Sequence, residues 1–352
     1  MAPAECPTMP PAPLGLVHRE GRVRLAILER PRREAPDVVL AVRLVGVCSS
    51  DLKEIRGERE GRRDFGHELV GVVRHSAIPV IPTDERVVLD PHVGVSRTGG
   101  FADAVHLYGD EPSLRAALRP VPTALDDEAA IFVEPLACVT HALARLRRPC
   151  PPNGRVAVVG AGTAGVLFAA RLHQAGCRVS LLNAGSGRLR HLTLHARLPP
   201  SIELRSLTQP ANERHDAVVV ATTTITAETL EWAAQNVAHR GTVLLYGGTS
   251  REILRLGDSI DLDDVRRSEG EVYHRYAAKT IRLLGSHGAD TDDFHTAAQA
   301  LAGSELLRAV CRSLIDRRLP LVKAAGPLTE MAWQGRRFGK TVVLPSWRGV
   351  AS

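Results

Sequence analysis

The stretch RVAVVGAGTAGVLFAARL, residues 155–172, decides the fold. An apolar, β-branched run leads into glycines at 160, 162 and 165, and apolar residues at helical spacing follow. G-x-G-x-x-G is weak evidence alone, but here it has the preceding strand and the following helix that the motif requires. The stretch predicts the strand, tight turn and helix that open a dinucleotide-binding Rossmann unit.

Each glycine of this loop has a physical role. The first permits the tight turn, the second lets the backbone approach a pyrophosphate, and the third lets helix and strand pack closely. The helix N-terminus then presents free N–H groups and a positive dipole end to the anion. A glycine-rich turn without a ligand is the alternative. The residues expected to bind the cofactor are Gly160, Ala161, Gly162, Thr163, Ala164 and Gly165.

The next predicted strand carries the signal for cofactor choice. About 20 positions beyond the loop an acidic residue normally binds the adenosine ribose, and Asn183 occupies that position here. Asn183 has no charge to repel a 2′-phosphate, and Ser186 and Arg188 are suited to bind one. The pattern favours NADP(H) over NAD(H), although Asn also tolerates NAD(H) and a solvated Arg188 is the alternative.

Outward from the loop, the chain has two kinds of pattern. Strands and helices alternate between about 153 and 285, which predicts a parallel, doubly wound α/β sheet. Before about residue 148, short β-branched runs between Gly, Pro and Asp predict a β-rich part. A helix is predicted near 136–147, after a break at Pro135, and RPCPPNG, residues 148–154, marks a boundary.

Composition excludes several classes of protein. The chain has 352 residues, of which 44% are hydrophobic and 24% charged, as in soluble globular proteins. No apolar run approaches the roughly 20 residues of a membrane span, and the Pro-rich start does not resemble a signal peptide. We therefore expect a cytoplasmic protein that does not associate with membranes.

The basic character of the chain does not indicate nucleic-acid binding. The net charge is +6, but the basic residues are scattered and aromatic residues make up only 4%. Such usage fits solvated arginines better than a nucleic-acid surface. The six cysteines form no CxxC pair, and disulfides are not expected in a chain of this kind.

Three segments offer metal ligands. GVCSSDL contains Cys48 and Asp51, RRDFGHELVGVV (62–73) contains His67 and Glu68, and VEPLAC contains Glu134. Each has a plain alternative: a core thiol, a turn residue beside a solvated carboxylate, or a helix-start carboxylate that the dipole favours. In an extended segment the adjacent His67 and Glu68 would point to opposite faces.

Taken in order, the motifs resemble one family. GVCSSDL, GHELVGVV, DERVVLDP, GGFADAV, VEPLACVTHAL, VVGAGTAG, GTVLLYGG, RLLGS and FGKTVVLP follow each other over nearly the whole length. They resemble the zinc-dependent branch of the medium-chain dehydrogenase/reductase superfamily, the alcohol and polyol dehydrogenases. The resemblance implies a GroES-like, β-rich catalytic domain (1–148, with 291–352 returning to it) and a Rossmann domain (149–290).

The resemblance also implies residue roles. Cys48, His67 and Glu134 match zinc ligands, and Glu68 matches the residue behind the metal that ligates transiently or tunes it. Asp51 matches the carboxylate that orients the ligand histidine, and Ser50 matches the hydroxyl that passes on the substrate proton. The family further implies a homodimer formed by edge pairing of the Rossmann sheets.

Two features depart from the family. HVGVSRT, residues 92–98, stands where many relatives have four cysteines that hold a structural zinc, and it contains no cysteine. One catalytic zinc and no structural zinc are therefore expected. Lys53 replaces a histidine that often ends the proton relay; it could relay protons, contact the cofactor or a polar substrate, or be solvated.

The sequence thus predicts a zinc- and NAD(P)(H)-dependent oxidoreductase that interconverts a secondary alcohol and a ketone. The Glu134 variant suggests a polar polyol, sugar or aminocyclitol substrate, and the motifs most resemble aminocyclitol and amino-sugar dehydrogenases of antibiotic pathways. Two alternatives are a zinc-free reductase of the same superfamily acting on an activated double bond, and a non-catalytic cofactor-binding protein.

Overall fold

A computed structural model describes residues 10–32, 34–59, 65–146, 153–209, 213–249, 260–335 and 338–346. The chain divides into two compact units, residues 1–134 with 317–352 and residues 135–316. Both predicted fold types are present, an antiparallel β-rich unit and a parallel α/β unit. Among the described residues, no helix combines the length and the apolar character that a membrane span requires.

The first unit is built on antiparallel strands. Its N-terminal elements are β1 (Leu14–Arg19), β2 (Arg22–Ile27), β3 (Val38–Gly46), α1 (Ser49–Ile55), β4 (Glu68–Ser76), β5 (Arg86–Leu89), β6 (Ser96–Arg97), β7 (Ala104–Tyr108), α2 (Glu111–Ala117), β8 (Leu118–Pro120) and α3 (Asp127–Ala130). The end of the chain adds β18 (Ile315–Pro320), a 3₁₀ turn (Leu321–Lys323), α11 (Ala325–Gln334) and β19 (Lys340–Leu344). The sheet order is β18-β19-β3-β4-β5-β8, and β7 pairs with β3 and β6.

The pairing of β3 with both β4 and β19 explains why the end of the chain contributes to this unit. Gly46, the last residue of β3, lies opposite Glu68 on one side and Val342 on the other. The central strands are apolar on the core face, where Val38, Leu40 and Val42 are buried. The strand formed by GKTVVLP is therefore part of the same sheet as the segment that contains Gly66, His67 and Glu68.

The second unit is a parallel sheet flanked by helices. Its elements are β9 (Arg155–Val159), α5 (Thr163–Gln174), β10 (Arg178–Asn183), α6 (Ser186–His195), β11 (Glu203–Ser206), β12 (His215–Val220), β13 (Thr224–Ile225), α7 (Ala227–Asn236), β14 (Val237–Leu245), β15 (Gly248–Thr249), α8 (Leu262–Arg267), β16 (Glu271–Tyr276), β17 (Lys279–Gly285), α9 (Thr291–Gly303) and α10 (Glu305–Leu314). The strand order is β11-β10-β9-β12-β14-β17-β16, parallel except for β16.

This order reverses direction between β9 and β12, which is where doubly wound sheets bind ligands at the carboxyl ends of their strands. The glycine loop follows β9 at that edge. Residues 156–159 of β9 are fully buried on both faces, as expected for a central parallel strand. The predicted Rossmann unit is confirmed as a fold.

Helix α4 (Val133–Arg145) begins earlier than the sequence suggested. Pro135 does not break it, because proline is tolerated in the first helical turn, where its missing N–H has no intrahelical partner. Glu134, expected just before the helix, therefore lies within its first turn.

The unit boundaries differ from the predicted ones. The predicted junction at 148–149 lies outside the described residues, and the division falls after Glu134. Arg145 on α4 donates to the backbone oxygens of Gly285 (2.8 Å) and Glu269, which ties this helix to the second unit. At the other end, α9 and α10 belong to the second unit, where Gln174 donates to Ser304 (2.8 Å).

Candidate metal centre and cofactor loop

Cys48 has a defined place between a strand and a helix. It follows β3 and is the N-cap of α1, with an extended backbone (φ −91°, ψ 156°). Asp51, at the third helical position, accepts a hydrogen bond from the Cys48 backbone N–H through Oδ2 at 2.7 Å. A side chain that returns to the N-cap backbone stabilises the first helical turn. The C-x-x-D spacing therefore holds Cys48, and with it the thiol, at the N-terminus of α1.

The same carboxylate reaches the histidine. Asp51 is fully buried, and its Oδ1 accepts from the Gly66 backbone N–H at 3.0 Å and lies 3.5 Å from His67 Nδ1. The other ring nitrogen, Nε2, lies 3.4 Å from Ser50 Oγ. A carboxylate behind one imidazole nitrogen leaves the opposite nitrogen directed at a metal. The structure thus brings Asp51, His67 and Ser50 together, as the motifs suggested.

The charges of this group reinforce each other. Burial alone would lower the pKa of His67, but Asp51 and then Cys48 raise that pKa well above its ordinary value. Burial likewise opposes ionisation of Asp51, yet His67 and the N–H groups of Gly66 and Cys48 hold its pKa below the usual range. The surroundings of His67 favour a positive charge, and a bound cation would take the place of the proton.

One ligand atom from each of Cys48, His67 and Glu68 lies within 4.8 Å of the others. His67 precedes β4, which begins at Glu68, so the alternation of faces within a strand does not govern this pair. Gly66 turns the chain with φ +76°, and a Cβ at this position would overlap the Phe101 backbone. This turn lets two adjacent residues contribute to one cluster.

Glu134 is close to the cluster but is not part of it. It is 8% exposed, and its charge acts on Lys340, as do the charges of Glu68 and Cys48. The set of ligand atoms that all lie within 4.8 Å of one another contains Glu68 and not Glu134. Its role as a ligand stays a prediction.

Lys340 is the site residue that sequence reasoning missed. Its Nζ donates to Glu68 Oε2, and both side chains are 3% exposed. Its only sequence signal is its place at the start of GKTVVLP, a polar residue leading a buried strand. Lys53 lies in α1, half-buried, and its carbonyl accepts from the Glu58 N–H at 2.9 Å. Its proposed relay role stays a prediction.

The three glycines of the loop differ in what surrounds them. Gly160 has φ +108°, and a Cβ there would meet the Ala221 backbone at 2.8 Å. A Cβ at Gly165 would overlap the Gly160 carbonyl, so the third glycine permits close packing of helix and strand. No described atom lies within 4 Å of the Cβ position of Gly162, the N-cap of the 12-residue α5, so the backbone is open there.

Asn183, the last residue of β10, forms hydrogen bonds on both sides. Asn183 Oδ1 accepts from the Ala161 backbone N–H at 3.2 Å, and its Nδ2 donates to the Gly185 carbonyl at 3.0 Å. Asn183 therefore connects the glycine loop to the start of α6. Ser186 is exposed at the first position of α6, and burial lowers the pKa of the half-buried Arg188. Their contacts with a cofactor stay predictions.

Comparisons with known proteins agree with the fold. The family "Ketopantoate reductase PanE/ApbA" matches residues 156–248, within the second unit. L-galactonate-5-dehydrogenase of Escherichia coli K12 is 24% identical, covering 89% of this chain and 94% of that protein. Several other curated relatives match over only about half of their own length.

Solved structures extend the likeness to nearly the whole chain. Galactitol-1-phosphate dehydrogenase from Escherichia coli gives a TM-score of 0.72 at 20% identity, covering 95% of this chain and 100% of the other. S. aureus TarJ in complex with NADPH gives 0.71 at 14% identity, covering 95% and 99%. The chain has the fold of zinc-type alcohol and polyol dehydrogenases, consistent with the medium-chain dehydrogenase/reductase superfamily.

Proposed function

We propose that this chain, which shares the fold of the zinc-type medium-chain dehydrogenases, is a zinc- and NAD(P)(H)-dependent enzyme that interconverts a secondary alcohol and a ketone. The single observation that carries the proposal is the cluster in which the Cys48 thiol, the His67 imidazole and the Glu68 carboxylate meet within 4.8 Å. The glycine loop at the carboxyl end of β9 in the same chain supports binding of the dinucleotide.

The donor set suits zinc. Thiolate, imidazole and carboxylate are its usual ligands, and a catalytic site keeps three protein ligands with one open position. Cys48 and His67 would hold the metal with one glutamate, either Glu134 or Glu68. When bound, zinc polarises a carbonyl or lowers the pKa of a bound alcohol.

The chain's own residues complete the chemistry. Asp51 orients His67 and stabilises the first turn of α1 that carries Ser50. Ser50 Oγ, 3.4 Å from His67 Nε2, is placed to exchange a proton with a hydroxyl bound at the cluster. Lys53 is one turn further along α1 and is the candidate for the next step of the relay.

The cofactor is a nicotinamide dinucleotide, with NADP(H) preferred. The support is the absence of a carboxylate at Asn183 and the presence of Ser186 and Arg188 at the start of α6. Solved complexes of proteins with this fold hold either NADPH or NADH, so the preference rests on this chain's own residues. A nicotinamide exchanges hydride with the carbon that carries the oxygen.

The substrate is a polyol or a sugar derivative. The support is the names of the relatives, which act on L-galactonate and galactitol-1-phosphate. An aminocyclitol or amino sugar in an antibiotic pathway is the narrower proposal and rests on the motif resemblance alone. The cytoplasmic location and the homodimer also stay proposals; the mass of the protein in solution tests the second.

Two alternative functions make different demands on the residues of the site. A zinc-free reductase of this superfamily would not need a half-buried thiol beside a buried imidazole and a buried carboxylate. A non-catalytic cofactor-binding protein would not need Ser50 beside His67. The presence of both features favours the dehydrogenase.

The test is turnover, followed by NAD(P)H absorbance, with a panel of polyols, sugar acids and their ketones. We expect activity with NADPH or NADP⁺ that exceeds activity with the NAD pair, and its loss in Cys48→Ser. Cys177→Ser, which removes a buried thiol far along the chain, is the matched control. Reduction of activated double bonds that survives Cys48→Ser would favour the zinc-free reductase.

A further inference from the structure

The buried ion pair between Lys340 and Glu68 has no assigned role in the proposed reaction. Lys340 begins β19, and Glu68 begins β4, on either side of Gly46 at the end of β3. A Cβ at Gly46 would overlap Glu68 Oε2 and would lie 2.8 Å from Lys340 Cε. The glycine between the two strands leaves the space in which the ion pair forms.

The lysine lies among the anionic groups of the candidate metal centre. Lys340 Nζ donates to Glu68 Oε2, and the charges of Cys48 and Glu134 also act on the ammonium. A buried ammonium and carboxylate are tolerated only when each satisfies the other. The ion pair therefore fixes the Lys340 ammonium beside the candidate ligands and restrains the position of the Glu68 carboxylate.

We propose that Lys340 is a positioning residue of the metal centre: its ion pair holds the Glu68 carboxylate and keeps it from closing the coordination position that the substrate needs. This inference rests on the proposed function. A carboxylate within 4.8 Å of a thiol and an imidazole is a competent ligand. With Glu134 as the third ligand, loss of the lysine would let Glu68 join Cys48, His67 and Glu134 and give the closed set of four ligands that is typical of structural sites.

Charge supports the same assignment. Cys48 as thiolate, Glu68 and Glu134 are three anionic groups around Lys340. A divalent ion balances two of them, and Lys340 balances the third. The carboxylate that the lysine neutralises is the one that it contacts directly, Glu68.

The experiment uses the full chain loaded with Co²⁺, whose visible spectrum reports its ligands. Four proteins are compared: wild type, Lys340→Met, Lys340→Arg and the double variant Glu68→Gln/Lys340→Met. Thiocyanate is titrated as a monodentate probe of the open position, and release of Co²⁺ to a chelator is timed. Neither readout depends on turnover.

We expect thiocyanate to change the spectra of wild type and Lys340→Arg, but not the spectrum of Lys340→Met. Lys340→Met should also release Co²⁺ about tenfold more slowly, the scale on which groups behind metal ligands act. The double variant should regain the thiocyanate response, because the competing carboxylate is gone. An unchanged thiocyanate response and release rate in folded Lys340→Met would overturn the proposal.

Glu68→Gln alone provides a second test if Lys340→Met does not fold. If Lys340 holds Glu68 off the metal, Glu68→Gln should keep the visible Co²⁺ spectrum and the thiocyanate response of wild type, because no ligand changes. A changed visible spectrum of Co²⁺-loaded Glu68→Gln before thiocyanate is added would show that Glu68 is already a ligand, which contradicts the proposal. If wild type binds no Co²⁺ with a thiolate band, the proposed function fails, and that result is distinct from either outcome above.

Discussion

Asp51 connects two of the candidate ligands through one buried carboxylate. Its Oδ2 accepts from the Cys48 backbone, and its Oδ1 accepts from the Gly66 backbone and faces His67 Nδ1. Removing its charge weakens a helix cap and frees the imidazole from its orientation. The effect therefore has two parts that separate experiments can measure.

For Asp51→Asn we predict metal affinity lower by about 10- to 100-fold. We also predict a loss of about 1 kcal/mol in the free energy of unfolding of the metal-free protein, from the weakened cap. Chelator competition measures the first and urea unfolding the second. Asp84→Asn removes an exposed ion pair with Arg74 and should change neither quantity appreciably. Unaltered metal affinity in Asp51→Asn would contradict the orienting role.

At the scale of elements, the glycine loop joins β9 to α5. One of its glycines, Gly165, allows helix and strand to pack closely, and another, Gly162, leaves space for a ligand. A Cβ at Gly165 would overlap the Gly160 carbonyl, whereas a Cβ at Gly162 would meet open space. The two substitutions therefore have different expected consequences.

Gly165→Ala should destabilise the protein by about 1–3 kcal/mol, as overpacking does, and should also weaken cofactor binding. Gly162→Ala should leave stability within about 0.5 kcal/mol of wild type but weaken NADPH binding, because the methyl group occupies the space for the pyrophosphate. Urea unfolding and NADPH fluorescence titration measure the two effects. Wild-type NADPH affinity in Gly162→Ala would show that the pyrophosphate does not bind at this loop.

His141 on α4 contacts α9 and the turn that precedes β16, all within the second unit. Its Nδ1 lies 2.8 Å from Asp293 Oδ2 on α9, and its Nε2 lies 2.8 Å from Glu269 Oε1, which precedes β16. Burial would lower the pKa of His141, but the hydrogen bonds to Glu269 and Asp293 and their charges raise it. The imidazolium therefore stabilises the folded state.

The sign of the pH dependence follows from this direction. The folded pKa exceeds the unfolded one, so the stabilisation is fully present below about pH 6.5. It is lost as the pH rises through the folded pKa. We predict that His141→Gln flattens the fall in unfolding temperature on this alkaline side, while His295→Gln, on the exposed side of α9, does not. Equal slopes for wild type and His141→Gln would contradict this account.

At the scale of the whole molecule, the sequence predicted both fold types and most elements because periodicity and turn residues mark them locally. Helix α4 begins three residues before its predicted start, because a proline such as Pro135 is tolerated in the first helical turn. The predicted boundaries group residues 291–314 with the first unit, whereas these residues fall in the second unit of the structure, a grouping that depends on long-range contacts.

The candidate site shows the same division between local and long-range information. Cys48, Asp51 and His67 follow spacing rules that a sequence displays. Lys340 could not be predicted, because it reaches Glu68 only through the register of β19 beside β3. The hydrogen bond from Ala161 to Asn183 likewise depends on how two strand ends meet.

The metal content of the chain tests the central claim most directly. Protein purified without chelator is analysed for zinc per chain, as wild type and as Cys48→Ser, with folding checked by circular dichroism. One zinc per chain in wild type and none in folded Cys48→Ser is the predicted result, since residues 92–98 have no cysteine for a structural site. Fully folded wild type without metal would contradict the account, and two zincs per chain would contradict the single-site prediction.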